Sequence, residues 1–193
     1  MYAPRRDDES TTHAQYVRQQ AEALRASAHG LTDEQARSTP CRSGLSVAGI
    51  LKHVTYVYAK AVSIETPWVP RTTTFEESVA AFHGSFVPTE EETLPVLLER
   101  FDAVMDALAD EMEAADPDAP ETEPPAPWFG RDEEVQVNAR FHHVHVIEEL
   151  ARHAAHADIL REQVDGATSP SLLLAVWGKE GNDFVRPWAP PGD

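Results

Sequence analysis

FHHVHVIEELARHAAHADILREQVDG, running from Phe141 to Gly166, gathers His142, His143, His145, His153 and His156 around Glu148 and Glu149. Each residue of an α-helix turns by about 100°, so His142, His145, Glu149, His153 and His156 fall within an arc of roughly 80°. One stripe of the helix therefore carries nearly all of its metal-ligand chemistry. Beside it lies an apolar side made by Val144, Ile147, Leu150, Ala151 and Ala154, which must pack against something. Burying imidazoles and a carboxylate without partners costs a few kcal/mol each, so a cation, a water-lined cleft or both is expected to satisfy them. Within this stretch His142 and His145 are expected to line the cleft and His143 to face solvent. Glu148 is expected to pair with Arg152 at the i, i+4 spacing.

Outward from this segment the chain repeats the helical pattern. Tyr16, Val17, Ala21 and Leu24 predict a first helix from about Thr12 to Ala28, with Gly30 as its stop. Thr32 and Gln35 predict a capping box and a brief turn of helix. Ser46 caps a second long helix carrying Val47, Ile50, Leu51, Val54, Val57, Tyr58 and Ala61 and expected to run to Pro67. The connection from Trp68 to Pro88 is irregular, with a short helix expected near Phe75 to Phe82. Thr89 with Glu92 reads as a capping box opening a third helix, whose stripe is Leu94, Leu97, Leu98, Phe101, Val104, Met105 and Leu108. An acidic, proline-rich linker from Ala114 to Pro127 precedes the last helix, expected from about Asp132 or Glu133 to Asp165. The tail from Ser169 is rich in Pro and Gly, with one apolar patch, LLLAVW, able to dock on the helices. Four amphipathic helices with little strand propensity predict an all-α four-helix bundle with long inter-helix connections. The domain plan is a flexible N-terminal segment over 1–11, a metal-binding bundle over 12–168 and a tail over 169–193.

Composition bounds the partners. A chain of 193 residues makes one domain with a real core. A formal charge of −17 argues against nucleic acid and anionic membrane surfaces, which draw on clustered Lys and Arg. No stretch approaches the roughly 20 apolar residues of a membrane span, and MYAPRRDDES lacks the apolar core of a signal peptide, so a cytoplasmic location is expected. A lone cysteine, Cys41, excludes an internal disulfide and has no His neighbour in sequence to activate it. Lys occurs only at positions 52, 60 and 179 while Arg and Ala abound, which reads as a GC-rich source. The acidity also suits adaptation to salt.

In a bundle, metal sites form from side chains that project inward on facing helices. Glu149 and His153 are four residues apart and stack on one face. His53, among the apolar positions of the second helix, supplies a third donor from across the core, although a lone histidine there is ordinarily a hydrogen-bonded core residue. Three N/O ligands with an open position make the pattern of a catalytic divalent metal. Tyr56 and Lys60 share the His53 side of that helix and are expected to wall the pocket. A di-iron carboxylate bundle is disfavoured, because Arg152 stands three residues after Glu149 and the third helix has no His.

Three stretches, SGLSVAGILKHV, TEPPAPWFGRDEE and HVIEELARHAAHADILREQVDG, occur in that order and resemble the DinB/YfiT-like superfamily of metalloenzymes, over about Thr12 to Thr168. The superfamily includes mycothiol-dependent maleylpyruvate isomerase relatives. The resemblance implies a bundle holding zinc, nickel or a related divalent ion through His53, Glu149 and His153. His156 then takes a place held by Gln in many relatives, as a fourth ligand or a hydrogen-bonding neighbour. His153 with His156 is the alternative pair.

The resemblance further implies a thiol S-transferase or thiol-dependent isomerase, with a low-molecular-weight thiol such as mycothiol as cosubstrate and an electrophilic small molecule as substrate. His156 would act catalytically by moving a proton. Association into a homodimer is also implied. A metal-dependent hydrolase needs the same three ligands, and a non-catalytic metal-binding or stress-related bundle is the alternative from another class. Substrate contacts are expected on the 68–88 connection and around Trp128.

Overall fold

The computed structural model describes residues 4–62, 64, 68–72 and 74–190, and for Trp128 its backbone alone. Asp8 caps the first helix by accepting the Thr11 N–H, so α1 spans Glu9–Ser27 and starts ahead of the expected Thr12. Thr32 and Gln35 make the reciprocal capping box foreseen for them, on the short α2, Asp33–Arg37. Ser46 accepts from Gly49 N–H and opens α3, Val47–Ala61; the Pro67 end expected for it lies outside the described residues. A second reciprocal box, Thr74 with Glu77, opens α4, Phe75–Gly84, at the place predicted for a short helix.

Three boundaries differ from expectation. Glu92 accepts the Thr89 N–H at 2.8 Å, but this closes a turn only, and α5 (Leu94–Ala114) begins later with Pro95 in its first turn. The linker after α5 is not irregular throughout: β1 (Pro120–Glu123) pairs antiparallel with β2 (Val135–Asn138), Pro120 opposite Asn138 and Glu123 opposite Val135. The last long helix, α6, consequently spans Ala139–Asp165 rather than starting at Asp132 or Glu133. Val135 and Val137 are β-branched and alternate with polar residues, and Asn138 stops the strand by capping α6 on Phe141 N–H. The apolar patch of the tail forms α7 (Ser169–Val176), whose Leu172 is buried with Ala26, Ala167 and Trp188.

The fold is all-α apart from this hairpin. Helix α1 packs on α5 and α6, and α3 packs on the same two helices from the other side. Their apolar stripes close one core that includes Val17, Leu24, Ile50, Leu51, Val54, Leu97, Phe101, Val104, Leu150 and Leu160. Among the described residues no helix is long and apolar enough to cross a membrane.

A charge lies wholly inside the packing. Arg161 is 0% exposed. Its Nη1 donates to the carbonyls of Ser27 (2.8 Å) and His29 (2.7 Å) at the end of α1, and its Nε and Nη2 hold Asp165 at 2.9 and 2.8 Å. The guanidinium also stacks over Trp188, 4.9 Å from the ring centre. This arrangement ties α1, α6 and the tail together.

Candidate functional site

His53 sits at the centre of the α3 face that meets α6, 4% exposed. Its ring stacks on Phe86 (centroids 3.8 Å apart, 14° between planes) and meets the Phe82 edge at 5.2 Å. Nδ1 lies 2.8 Å from Ser85 Oγ, and Ser85 Oγ lies 2.6 Å from the Phe82 carbonyl. A carbonyl only accepts, so the serine proton goes to Phe82 and the imidazole must donate from Nδ1. That fixes the tautomer and leaves the lone pair on Nε2. Burial, helped by nearby His153, pushes the His53 pKa down to about 4, so the ring is neutral at physiological pH.

The turn that carries Ser85 reaches α3 because of Gly49. A Cβ there would stand 2.3 Å from the Phe86 carbonyl oxygen. Only glycine lets the backbone of the 85–86 turn come this close.

From α6, the His153 ring lies 5.1 Å from that of His53, and His153 Nε2 lies 3.8 Å from Glu149 Oε2. Burial lowers the His153 pKa, against the opposing pull of Glu149. Burial, and in smaller part the charge of Glu149, push the Tyr58 phenol on α3 up. His153 thus stands between His53 on α3 and Glu149 on its own helix, and the ligand atoms of the three do not all lie within 4.8 Å of one another. Ser85, Phe82 and Phe86 surround His53 and were not foreseen; nothing local marks the 82–86 turn.

The wall between α3 and α6 has the donor chemistry of a divalent-metal site: two neutral imidazoles, one with its tautomer fixed by an outer hydrogen bond, and a carboxylate. The family model of mycothiol S-transferases matches residues 12–166.

The chain belongs to the mycothiol S-transferase family.

A crystal structure described as a conserved protein of locus from Enterococcus faecalis superposes with a TM-score of 0.54 at 12% identity, covering 84% of this chain and 100% of that one. That likeness is one of fold. No curated protein matches the chain.

In this mycothiol S-transferase family member the other α6 histidines are distributed differently from expectation. His145 and Glu148 are exposed, 3.4 Å apart, and Glu148 pairs with Arg152 at 2.6 Å as its spacing predicted. Among the described residues, His145, Glu148 and Glu149 are the group whose ligand atoms all lie within 4.8 Å of one another, so a His and two carboxylates there could hold a metal. His143, expected in solvent, is 6% exposed, whereas Val144, expected on the packed side, is 53% exposed. The reason is the helical phase: His143 precedes Leu150, Ala154, Ala157 and Arg161 by whole turns and shares their buried face. His156 is exposed, and its charge bears on His153.

On the far side of Ser85 lies a cavity of about 360 Å³ whose lining includes Lys52, Tyr56, Trp68, Ser85, Glu92 and Arg100. Part of the 68–88 connection therefore does face a pocket, and Tyr56, bonded to Lys60 Nζ at 2.7 Å, walls it. Lys52 and Arg100 converge on Glu92 at 2.8 and 3.1 Å.

Two outcomes follow from this geometry. Ser85→Ala removes the acceptor that holds the His53 tautomer and should weaken zinc affinity about 10–100-fold, the usual effect of losing such an outer partner. Competition against a chelating dye measures this, and unchanged affinity would show that the tautomer is set otherwise.

The second concerns Asp158, in a separate groove between α1, α6 and α7. Its Oδ1 is buried without a hydrogen bond, and burial, against a bond from Ser169, raises its pKa to about 6. A raised carboxyl pKa means that the folded state holds the proton more tightly, so ionisation above about pH 6 costs stability. Asp158→Asn should melt higher than the parent at pH 7–8, and the difference should vanish as pH falls through 6 to about 4. A gap independent of pH would contradict this.

Proposed function

We propose that the chain is a divalent-metal-dependent thiol S-transferase of the mycothiol type, built as a DinB/YfiT-like four-helix bundle from α1, α3, α5 and α6. His53, Glu149 and His153 are its metal ligands, with zinc or nickel as the fitting ions. The observation that carries this reading is the fixed tautomer of a buried, neutral His53 set against His153, with Glu149 beside His153. Family membership supplies the thiol.

A divalent cation held by the three residues supplies Lewis acidity that brings a thiol pKa toward neutrality. Phe82 and Phe86 keep water from the His53 side, which strengthens every charge interaction there. His156, on the exposed edge beside His153, takes the thiol proton. Sulfur then forms the new bond to the electrophilic carbon, and the leaving group departs with its electron pair. The cavity behind Ser85 is the natural place for a substrate body, and a homodimer follows from the family reading.

Zinc- or nickel-loaded protein is incubated with mycothiol and an aryl electrophile whose leaving group is coloured. Thioether should form with the loaded protein and fall to background after chelation. Absence of conjugate with mycothiol and with every other low-molecular-weight thiol would overturn the transferase reading.

A further inference from the structure

The cavity behind Ser85 is cationic in a strongly acidic chain. The formal charge is −17 and lysine occurs at positions 52, 60 and 179 only. Two of these three stand on α3 at the cavity: Lys52 lines it, and Lys60 bonds the Oη of Tyr56, which lines it as well. Arg100 of α5 is a second cation in the lining, and Glu92 is the one carboxylate among its described residues. Glu92 is 8% exposed and accepts from Lys52 Nζ at 2.8 Å and from Arg100 Nη1 at 3.1 Å. Two cations against one carboxylate leave the lining one positive charge in excess.

Hydrogen-bond donors are in excess too. A guanidinium carries five N–H donors, and among the described residues Arg100 spends one of them, on Glu92, while its carbon lies over the Trp68 ring, 5.1 Å from the centre. Tyr56 is 93% buried by the same measure that leaves it 7% exposed, and its Oη accepts from Lys60 Nζ at 2.7 Å. An ammonium only donates, so the phenol keeps its own proton to give, and no acceptor for it stands among the described residues. Trp68, Pro70, Val87 and Leu97 make much of the remaining surface apolar. A volume of about 360 Å³ is that of a small-molecule pocket, and aromatic walls with a few fixed polar groups suit an unsaturated organic body rather than a bare ion. The planar fork of a guanidinium matches a carboxylate, and a single excess charge matches a monoanion.

We propose that this cavity binds an aromatic or conjugated carboxylic acid as its carboxylate, with Arg100 and Tyr56 selecting the acid and Glu92 holding Arg100 and Lys52 in place. Arg37 steadies the segment that carries Glu92, donating to the carbonyls of Pro88, Thr89 and Glu92. Ser85 belongs both to the cavity lining and to the hydrogen bond with His53 Nδ1, so the cavity adjoins the wall proposed to hold the metal. The last step rests on the transferase reading: the acid bound here is the electrophilic substrate that the thiol attacks.

Calorimetric titration of the full-length protein with naphthoate tests the site without thiol chemistry, on metal-free protein so that no cation competes for the carboxylate. Naphthalenemethanol is the uncharged counterpart. Naphthoate should bind one equivalent, and the alcohol about 10–100-fold more weakly, the worth of hydrogen bonds to a charged group. Arg100→Gln should bring naphthoate down to the level of the alcohol and leave the alcohol's affinity in place, which a merely misfolded cavity would not. Arg100→Lys retains a charge for Glu92 and should recover part of the loss, and Tyr56→Phe should weaken naphthoate alone. Equal binding of acid and alcohol, binding of neither, or an unchanged preference in Arg100→Gln overturns the proposal. Conjugation of mycothiol to a chlorodinitrobenzoate, with loss of chloride, separates this inference from the transferase reading: Arg100→Gln should raise KM about tenfold or more with kcat little changed. Selective naphthoate binding with no conjugation of any electrophile supports the acid site and counts against the transferase. Conjugation whose KM ignores Arg100→Gln leaves the transferase standing and overturns the acid as its substrate.

Discussion

Replacing Arg161 by alanine is expected to lower the folding stability by about 3–5 kcal/mol, the cost of stranding one partner of a buried ion pair. The guanidinium is wholly buried, and its removal leaves three acceptors behind: the Ser27 and His29 carbonyls and the Asp165 carboxylate. Asp165 keeps the Ala167 N–H and the hydrogen bond from Trp188, but no cation. The Trp188 ring loses its cationic face at the same time. For a chain of this size the melting temperature should drop on the order of 10 °C. Urea unfolding monitored by circular dichroism measures the loss directly. Arg161→Met, which fills much of the volume but pairs with nothing, should be nearly as damaging; a loss below about 1 kcal/mol in both would show that the pair is not an essential tie.

His53→Ala is the change expected to do most to function. If His53, Glu149 and His153 are the ligands, removing one of three should weaken metal binding by more than the roughly 10–100-fold typical of an outer partner such as Ser85. Thiol conjugation should fall to background. Because the ring is buried between Phe82, Phe86 and His153, alanine also leaves a cavity. His53→Asn is the companion variant, filling part of the space and retaining a group able to bond Ser85. Both should keep helical circular dichroism and lose the metal of that site. Retention of stoichiometric metal at the α3–α6 wall in both would remove His53 from the ligand set.

Much of the architecture was legible in the sequence, for identifiable reasons. The stripes of α1, α3 and α5 have clean three- and four-residue spacing, and the Thr32/Gln35 signal lies directly before a helix. The hairpin was missed because Pro120–Glu123 has no hydrophobic alternation and is read as an acidic linker. Its pairing with Val135–Asn138 is a long-range fact. Misplacing the start of α6 followed from the same omission.

At the candidate site, the sequence brought Glu149 and His153 together by helical spacing; the structure sets the His153 ring 5.1 Å from that of His53, with Glu149 beside His153. What spacing did not reveal is the neighbour that orients His53. Ser85 is 32 residues away, on a turn with no motif of its own. The inversion at His143 and Val144 has another cause: the helix has a weak apolar asymmetry, and the apolar side read as Val144, Ile147, Leu150, Ala151 and Ala154 shares only Leu150 and Ala154 with the buried face, which runs through His143, Ala157 and Arg161.

The close seating of the Phe86 carbonyl over Gly49 divides the α3–α6 wall into parts with different histories. Glu149 and His153 adjoin as soon as α6 coils, because four residues of one helix suffice. The tautomer of His53 exists only once the chain has closed the long excursion from Gly49 to Phe86. An early loosening of that closure would disorder the imidazole while the core of α1, α5 and α6 still holds. If the wall holds the ion proposed for it, affinity for that ion is therefore a gauge of partial opening, falling before any loss of helix registers.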